Sequence, residues 1–196
     1  MLNLPKSTEM NKQLPKKAIY AKFQMTPTAR TKFDTDISRI NIVGEISPNT
    51  ISIPQGQTVS SIFVLQVILK QRNFQQSTIS QISKLIDQNM LLILDYNNER
   101  KLAIYHSKLI QTEWVPADIC TIEFKGLDLD TVWENLITQI GGITIQQGKT
   151  LDEQIAADEQ QAKQEKEITR LEKLARAEKQ PKRKFELVQQ INKMKG

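Results

Sequence analysis

The chain has 196 residues, of which 39% are hydrophobic, 25% charged and 6% aromatic, with a formal net charge of +5; that composition suits one cored globular domain with an appendage. A single cysteine, Cys120, and a single histidine, His106, exclude an internal disulfide framework and a Cys/His zinc module. Met1 to Lys6 lack the apolar core of a signal peptide and the longest apolar runs are too short to span a membrane, so a cytoplasmic protein is expected.

The basic excess is concentrated at the N-terminus. Residues 1–32 hold seven bases against one acid, residues 33–150 nine against twelve, and residues 151–196 eleven against nine. Residues 1–25 therefore read as a basic arm, which Pro5 and Pro15 break into short and partly irregular pieces. Lys6, Lys12, Lys16 and Lys17 here, with Lys182, Arg183 and Lys184 near the other end, are the candidate phosphate contacts. Solubility is the competing role for such lysines. Only Tyr20 and Phe23 supply rings in the arm, so no stacking platform is expected there.

Thr26-Pro27-Thr28 reads as a helix start, followed by an apolar stripe of Ala29, Phe33, Ile37 and Ile40. Alternation over Ile40 to Val43 and over Thr50 to Ile53, with Ser47-Pro48-Asn49 between, predicts a hairpin. Ser61 to Lys70 is apolar and β-branched nearly throughout, as a strand buried on both faces requires. Ile79, Ile82, Leu85 and Ile86 predict a helix over 77–88 capped by Ser77. Met90 to Tyr96 and Arg100 to His106, joined at Asn97-Asn98, predict a second hairpin. Trp114 and Pro116 mark an irregular connection, and 119–125 is predicted as a strand ended by Gly126. Leu129, Val132, Trp133, Leu136, Ile137 and Ile140 predict a helix started by Asp128 or Asp130 and stopped by Gly141-Gly142. This order gives an α+β core over 26–148, with a mixed, largely antiparallel sheet and packing helices.

Residues 149–196 form a charged helical extension. Leu151 to Lys179 contains no proline or glycine and is rich in strong helix formers, predicting one long helix; Gln180-Pro181 interrupts it before a short amphipathic helix. Ile168, Leu171, Leu174, Leu187 and Ile191 form thin apolar stripes, too weak for a coiled coil, and are the candidate partner contacts.

Three motifs bear on chemistry. Gly142 to Thr150 ends in Gly-Lys-Thr as a phosphate loop does, yet five residues separate its glycines where four are needed and helix precedes it, so a linker and helix start is expected. His106 has no accompanying nucleophile signature and reads as a surface or half-buried residue. Glu123 and Lys125 on one face of a strand, with Asp95 as a second acid, resemble the Glu-x-Lys arrangement of restriction-endonuclease-type folds, which would use Mg²⁺. The competing explanation is simple alternation on a half-exposed strand. No catalytic residue, metal site or cofactor is assigned.

Leu4 to Lys17, Glu45 to Ile53, Ile62 to Val67 and Ile86 to Leu94 together resemble the bacterial and archaeal domain-of-unknown-function family 4391, over most of residues 4–140. Its members are found beside helicases and DNA methyltransferases of restriction-like phage-defence clusters. The resemblance implies an accessory, non-catalytic subunit that binds a methyltransferase or helicase, with DNA as a further contact of its basic residues. A Mg²⁺-dependent nuclease and a regulatory or inhibitor protein are the alternatives.

Overall fold

In the computed structural model, residue 2 and residues 4–195 are described; Met1 and Asn3 of the N-terminal stretch and Gly196 lie outside the described residues. The chain divides into two units, residues 1–143 and 144–196. The first is an α+β unit with one mixed, mostly antiparallel sheet of seven strands.

Its strands are β1 (Glu9–Leu14), β2 (Ile37–Ile46), β3 (Ile62–Leu69), β4 (Asn89–Tyr96), β5 (Glu99–Tyr105), β6 (Leu109–Gln111) and β7 (Val115–Pro116). They lie in the order β1-β2-β3-β4-β5-β6, with β7 also pairing β5. Every pairing is antiparallel except β3 with β4, which run parallel with Leu65 beside Leu92. A parallel pair needs a crossover, here residues 70–88, which contain the short helix α3 (Gln76–Ile82). The predicted helix over 77–88 thus ends early. Gln75 is its N-cap in place of Ser77, and Ser83 closes it.

The apolar character of β3 and β4 reflects burial on both faces. On one face Leu65, Val67, Leu92 and Leu94 join Ile19 of α1 (Lys16–Lys22), Phe33 of α2 (Pro27–Asp36), and Ile79 and Ile82 of α3 in one core. By the two-residue alternation of strands, Val64, Leu91, Ile93, Leu102 and Ile104, all buried, face the other way. There α4 (Leu129–Gly141) packs on β5 and β6. Asn97 and Asn98 both adopt positive φ, the twist a two-residue hairpin demands, as the sequence predicted for β4 and β5.

Three expectations are corrected. Residues 9–22, within the expected 1–25 arm, do not stand apart from the body: β1 pairs antiparallel with β2, and Ile19 is 1% exposed in the core. Thr50 to Ile53 is not a strand. The Thr50 hydroxyl donates to the Glu45 carbonyl at 2.9 Å and accepts from the Ser47 N–H at 2.9 Å, turning the chain into a loop, and β2 pairs with β3 instead. Residues 119–125 run without a ladder although Cys120 and Ile122 are buried in alternation. Their backbone finds side chains: the Gln139 amide accepts from the Glu123 N–H at 3.0 Å and donates to its carbonyl at 2.8 Å, and Asn135 donates to the Lys125 carbonyl at 2.7 Å. Amides of α4 occupy the place of a neighbouring strand.

Both aspartates at the start of α4 are used, for different ends. Asp128 caps the helix by accepting from the Thr131 N–H at 2.8 Å. Asp130 reaches back to the 47–61 loop, accepting from the N–H groups of Gln57 (2.7 Å) and Val59 (2.8 Å) and from the Thr58 hydroxyl (2.8 Å). A Cβ on Gly56 would lie 2.3 Å from the Asp130 carboxyl, so only glycine permits this approach. At the other end Gly142, at φ 60°, stops the helix.

The Thr58 hydroxyl bond, followed by the backbone donors of Val59, Gln57 and Thr58, holds the Asp130 carboxyl below its ordinary 3.8. A depressed carboxylate stabilises the fold fully above its unfolded pKa and loses that contribution as pH falls through the folded one. Amide exchange at Gln57, Thr58 and Val59, corrected for intrinsic rates, should therefore accelerate below pH 3.8, and Asp130→Ala should show the fast rates at every pH. Leu92→Ala, at a fully buried position, should cost about 2–5 kcal/mol in chemical denaturation.

The second unit is a helical hairpin. Thr150 and Glu153 form a capping box, which starts α5 (Leu151–Ala177); the chain then turns at Gln180 into α6 (Pro181–Lys195). Gly142 and Gly148 serve as a helix stop and a left-handed turn, the linker role expected for that segment.

Candidate functional site

The acidic and basic residues singled out from the sequence are drawn into local contacts. Asp95 lies on the sheet face opposite α1–α3 and is the centre of a polar row across four strands. It accepts from the Arg100 Nε at 2.7 Å and from the Gln66 side-chain amide. Gln66 accepts from Asn41 at 3.4 Å, and the Arg100 guanidinium also reaches the Ala117 carbonyl at 3.2 Å. The register that sets Asn41 beside Gln66 and Asp95 beside Arg100 builds this row. It tethers the 115–118 segment to β5, and a cleft of about 310 Å³ lined by Leu4, Met10, Asn41, Val43 and Gln66 lies at its other end.

Glu123 and Lys125 form an exposed ion pair at 2.5 Å, with side chains 66% and 72% accessible. No group of three or more His, Cys, Asp or Glu side chains is placed to hold a metal ion among the described residues. Nearby, burial pushes the Cys120 thiol up, partly offset by Arg100.

The candidate phosphate contacts separate into two kinds. Lys16 is corrected: it donates to Asp34 Oδ1 and to the Ile37 carbonyl, both at 2.6 Å, and so ties α1 to the start of β2. Tyr20 donates to the same Asp34 oxygen at 2.6 Å; burial and this bond push its phenol up to about 12. At Asp34, burial acts to raise the pKa, but the bonds from Lys16 and Tyr20 prevail and lower it. Lys6, Lys12, Lys17, Lys182, Arg183 and Lys184 are exposed.

Of the candidate partner contacts, Leu171 and Ile191 are buried with Ala175 in the core of the hairpin, and Ile168 and Leu187 pack against them. These four close α5 on α6 and are corrected as free docking residues. Leu174 stays 45% exposed, and Val188 (40%), on the amphipathic face expected of the last helix, and the unpredicted Phe185 (63%) join it as large exposed apolar side chains of the same hairpin. Beside Leu174 a cleft of about 670 Å³ lies between the helices, lined also by Ala177, Leu187, Arg183, Glu186 and Gln190. Helix α6 carries five bases and one acid, whereas α5 carries five bases and seven acids. The signal for Phe185 was present as an apolar residue in a basic helix, but only the packing shows that it stays open while Leu187 and Ile191 are taken up.

An exposed ion pair contributes little and a half-buried one leaves its partner stranded when broken. Glu123→Ala should hence change unfolding free energy by less than about 0.5 kcal/mol, and Asp95→Ala should cost about 1–3 kcal/mol in the same titration.

No helix among the described residues is long and apolar enough to cross a membrane. The model of a protein family described as Domain of unknown function (DUF4391) matches residues 2–196, reaching through the hairpin beyond the 4–140 stretch that carried the resemblance. No curated protein and no solved structure matches the chain.

Proposed function

The chain belongs to the DUF4391 family, and we propose that it serves as an accessory, non-catalytic subunit of a DNA restriction-like defence assembly. It binds a methyltransferase or helicase partner through its C-terminal hairpin. The observation that carries this reading is the set of exposed apolar side chains, Leu174, Phe185 and Val188, on a hairpin in which Leu171, Ala175 and Ile191, with Ile168, Leu187 and Met194 against them, close the two helices on each other. Exposed large side chains of this kind suit the buried centre of an interface, and a basic helix around them suits an acidic rim on the partner.

The engagement of Asp95 by Arg100 and Gln66, and of Glu123 by Lys125, supports binding over phosphodiester hydrolysis, because each carboxylate is already taken up by a cation of this chain. The choice of partner class and the defence setting come from the family resemblance. The proposed role needs no cofactor, and in it the remaining exposed bases contact the phosphates of DNA held by the partner.

Tagged full-length protein should recover a methyltransferase or helicase from its own cells. Leu174→Asp with Phe185→Asp should abolish that recovery without loss of helical circular dichroism. Recovery unaffected by the double variant overturns the assignment of the interface, and recovery of neither enzyme from the unaltered chain overturns the role.

A further inference from the structure

The face of the sheet that packs against α3 carries a strip in which cations and rings alternate. Arg72 and Lys101 each lie 5.9 Å from the centre of the Trp114 ring, and the Lys84 ammonium lies 4.5 Å above the Tyr105 ring. Phe74 meets Trp114 edge-on at 6.4 Å. Lys101 and Tyr105 project from the same side of β5, about 14 Å apart along the strand, and Ala103 between them lies in the core. Trp114, Lys101 and Tyr105 are half-buried, and Arg72 and Lys84 are exposed.

The strip is held in advance. Arg72 and Phe74 sit in the 70–75 turn, which is fastened to Asp36: the Gln71 amide donates to its carboxylate at 2.6 Å and the Gln75 N–H at 2.9 Å, and the Lys70 N–H donates to its backbone carbonyl at 2.8 Å. Asp36 is 2% exposed. Glu99 takes one guanidinium N–H of Arg72 at 3.2 Å, which leaves that cation oriented beside the ring. No single stretch of sequence holds these groups: they come from the crossover, from β5 and from the connection between β6 and β7.

We propose that this strip binds single-stranded nucleic acid, the flexible Arg72, Lys101 and Lys84 side chains swinging off the rings to meet phosphates while bases take their place on Trp114 and Tyr105. Single strands are held by this combination, a cationic track for the backbone and ring faces for successive bases, whereas duplexes keep their base faces hidden. The strip lies in the first unit, so its role stands or falls separately from docking by the hairpin.

The test uses full-length protein and oligo-dT of about 16 nucleotides, the upper end of single-domain site sizes. Trp133 is 7% exposed in the core, so quenching of tryptophan emission reports on Trp114. Addition of the oligonucleotide should quench emission, with an affinity that falls as salt rises. Read by fluorescence anisotropy of end-labelled oligo-dT, which does not need the Trp114 ring, Trp114→Leu and Tyr105→Leu should each weaken binding about tenfold, while Trp114→Phe, which keeps a ring, should retain it. Lys84→Gln with Lys101→Gln, which touches one exposed and one half-buried side chain and no core residue, should weaken binding and flatten its salt dependence even if Trp114→Leu fails to fold. No binding at low salt overturns the proposal. Equal affinity for the matching duplex without quenching, or loss of binding in Lys12→Gln with Lys17→Gln but not in the strip variants, overturns it as well.

Discussion

The parallel pairing of β3 with β4 is the constraint on which the first unit depends. Leu65 lies beside Leu92 and Val64 beside Leu91, so the two strands present apolar side chains to both faces, and each face must be covered. Helices α1, α2 and α3 cover one, and α4 covers the β5–β6 half of the other. Because two parallel strands cannot be joined by a tight turn, the chain must leave the sheet between Leu69 and Asn89. That excursion supplies α3 and also carries Arg72, Phe74 and Lys84 to the rim of the sheet. A requirement of backbone pairing thereby places the cations and rings that no local pattern would have assembled.

Polar side chains carry out backbone work wherever the ladder stops. Gln139 and Asn135 satisfy the 123–125 segment, Asp130 gathers the 57–59 loop, and Asp36 fastens the 70–75 turn. Each is a polar side chain on a helix that reaches a segment carrying no regular structure, and a buried or half-buried N–H left without such a partner is costly. The same economy explains why Asp95 and Lys16 are poor candidates for chemistry. Asp95 is the hub of a row that links β2 through β5 to residue 117, and Lys16 links α1 to β2. The exposed apolar residues of the hairpin stand in contrast, since they serve no internal contact of that kind.

Much of the architecture was legible in the chain. The two central strands, the Asn97-Asn98 hairpin, α4 with its aspartate cap and glycine stop, and the two terminal helices follow from side-chain period, cap chemistry and the breaking effect of proline, all of which act within a few residues. The misreadings share one cause. Thr50 to Ile53 alternates like a strand, but the Thr50 hydroxyl bends it into a turn. Residues 119–125 alternate and bury one side, but side-chain amides of α4 pair with their backbone. Residues 9–14 looked like part of a basic arm because their charge is local, while their pairing with β2 depends on residues about thirty positions away.

The functional residues divide along the same line. Composition and period determined which residues are apolar, which are cationic and which helices end the chain. They could not determine that Lys16 is spent on Asp34, that Leu171 and Ile191 close the hairpin while Leu174 and Phe185 remain open, or that Trp114 meets Arg72 and Lys101. Local conformation is set by neighbours in sequence, where steric period and capping bonds act over a turn or two. Exposure and partnership are set by distant segments competing for the same surface, and that competition is resolved only when the sheet is assembled.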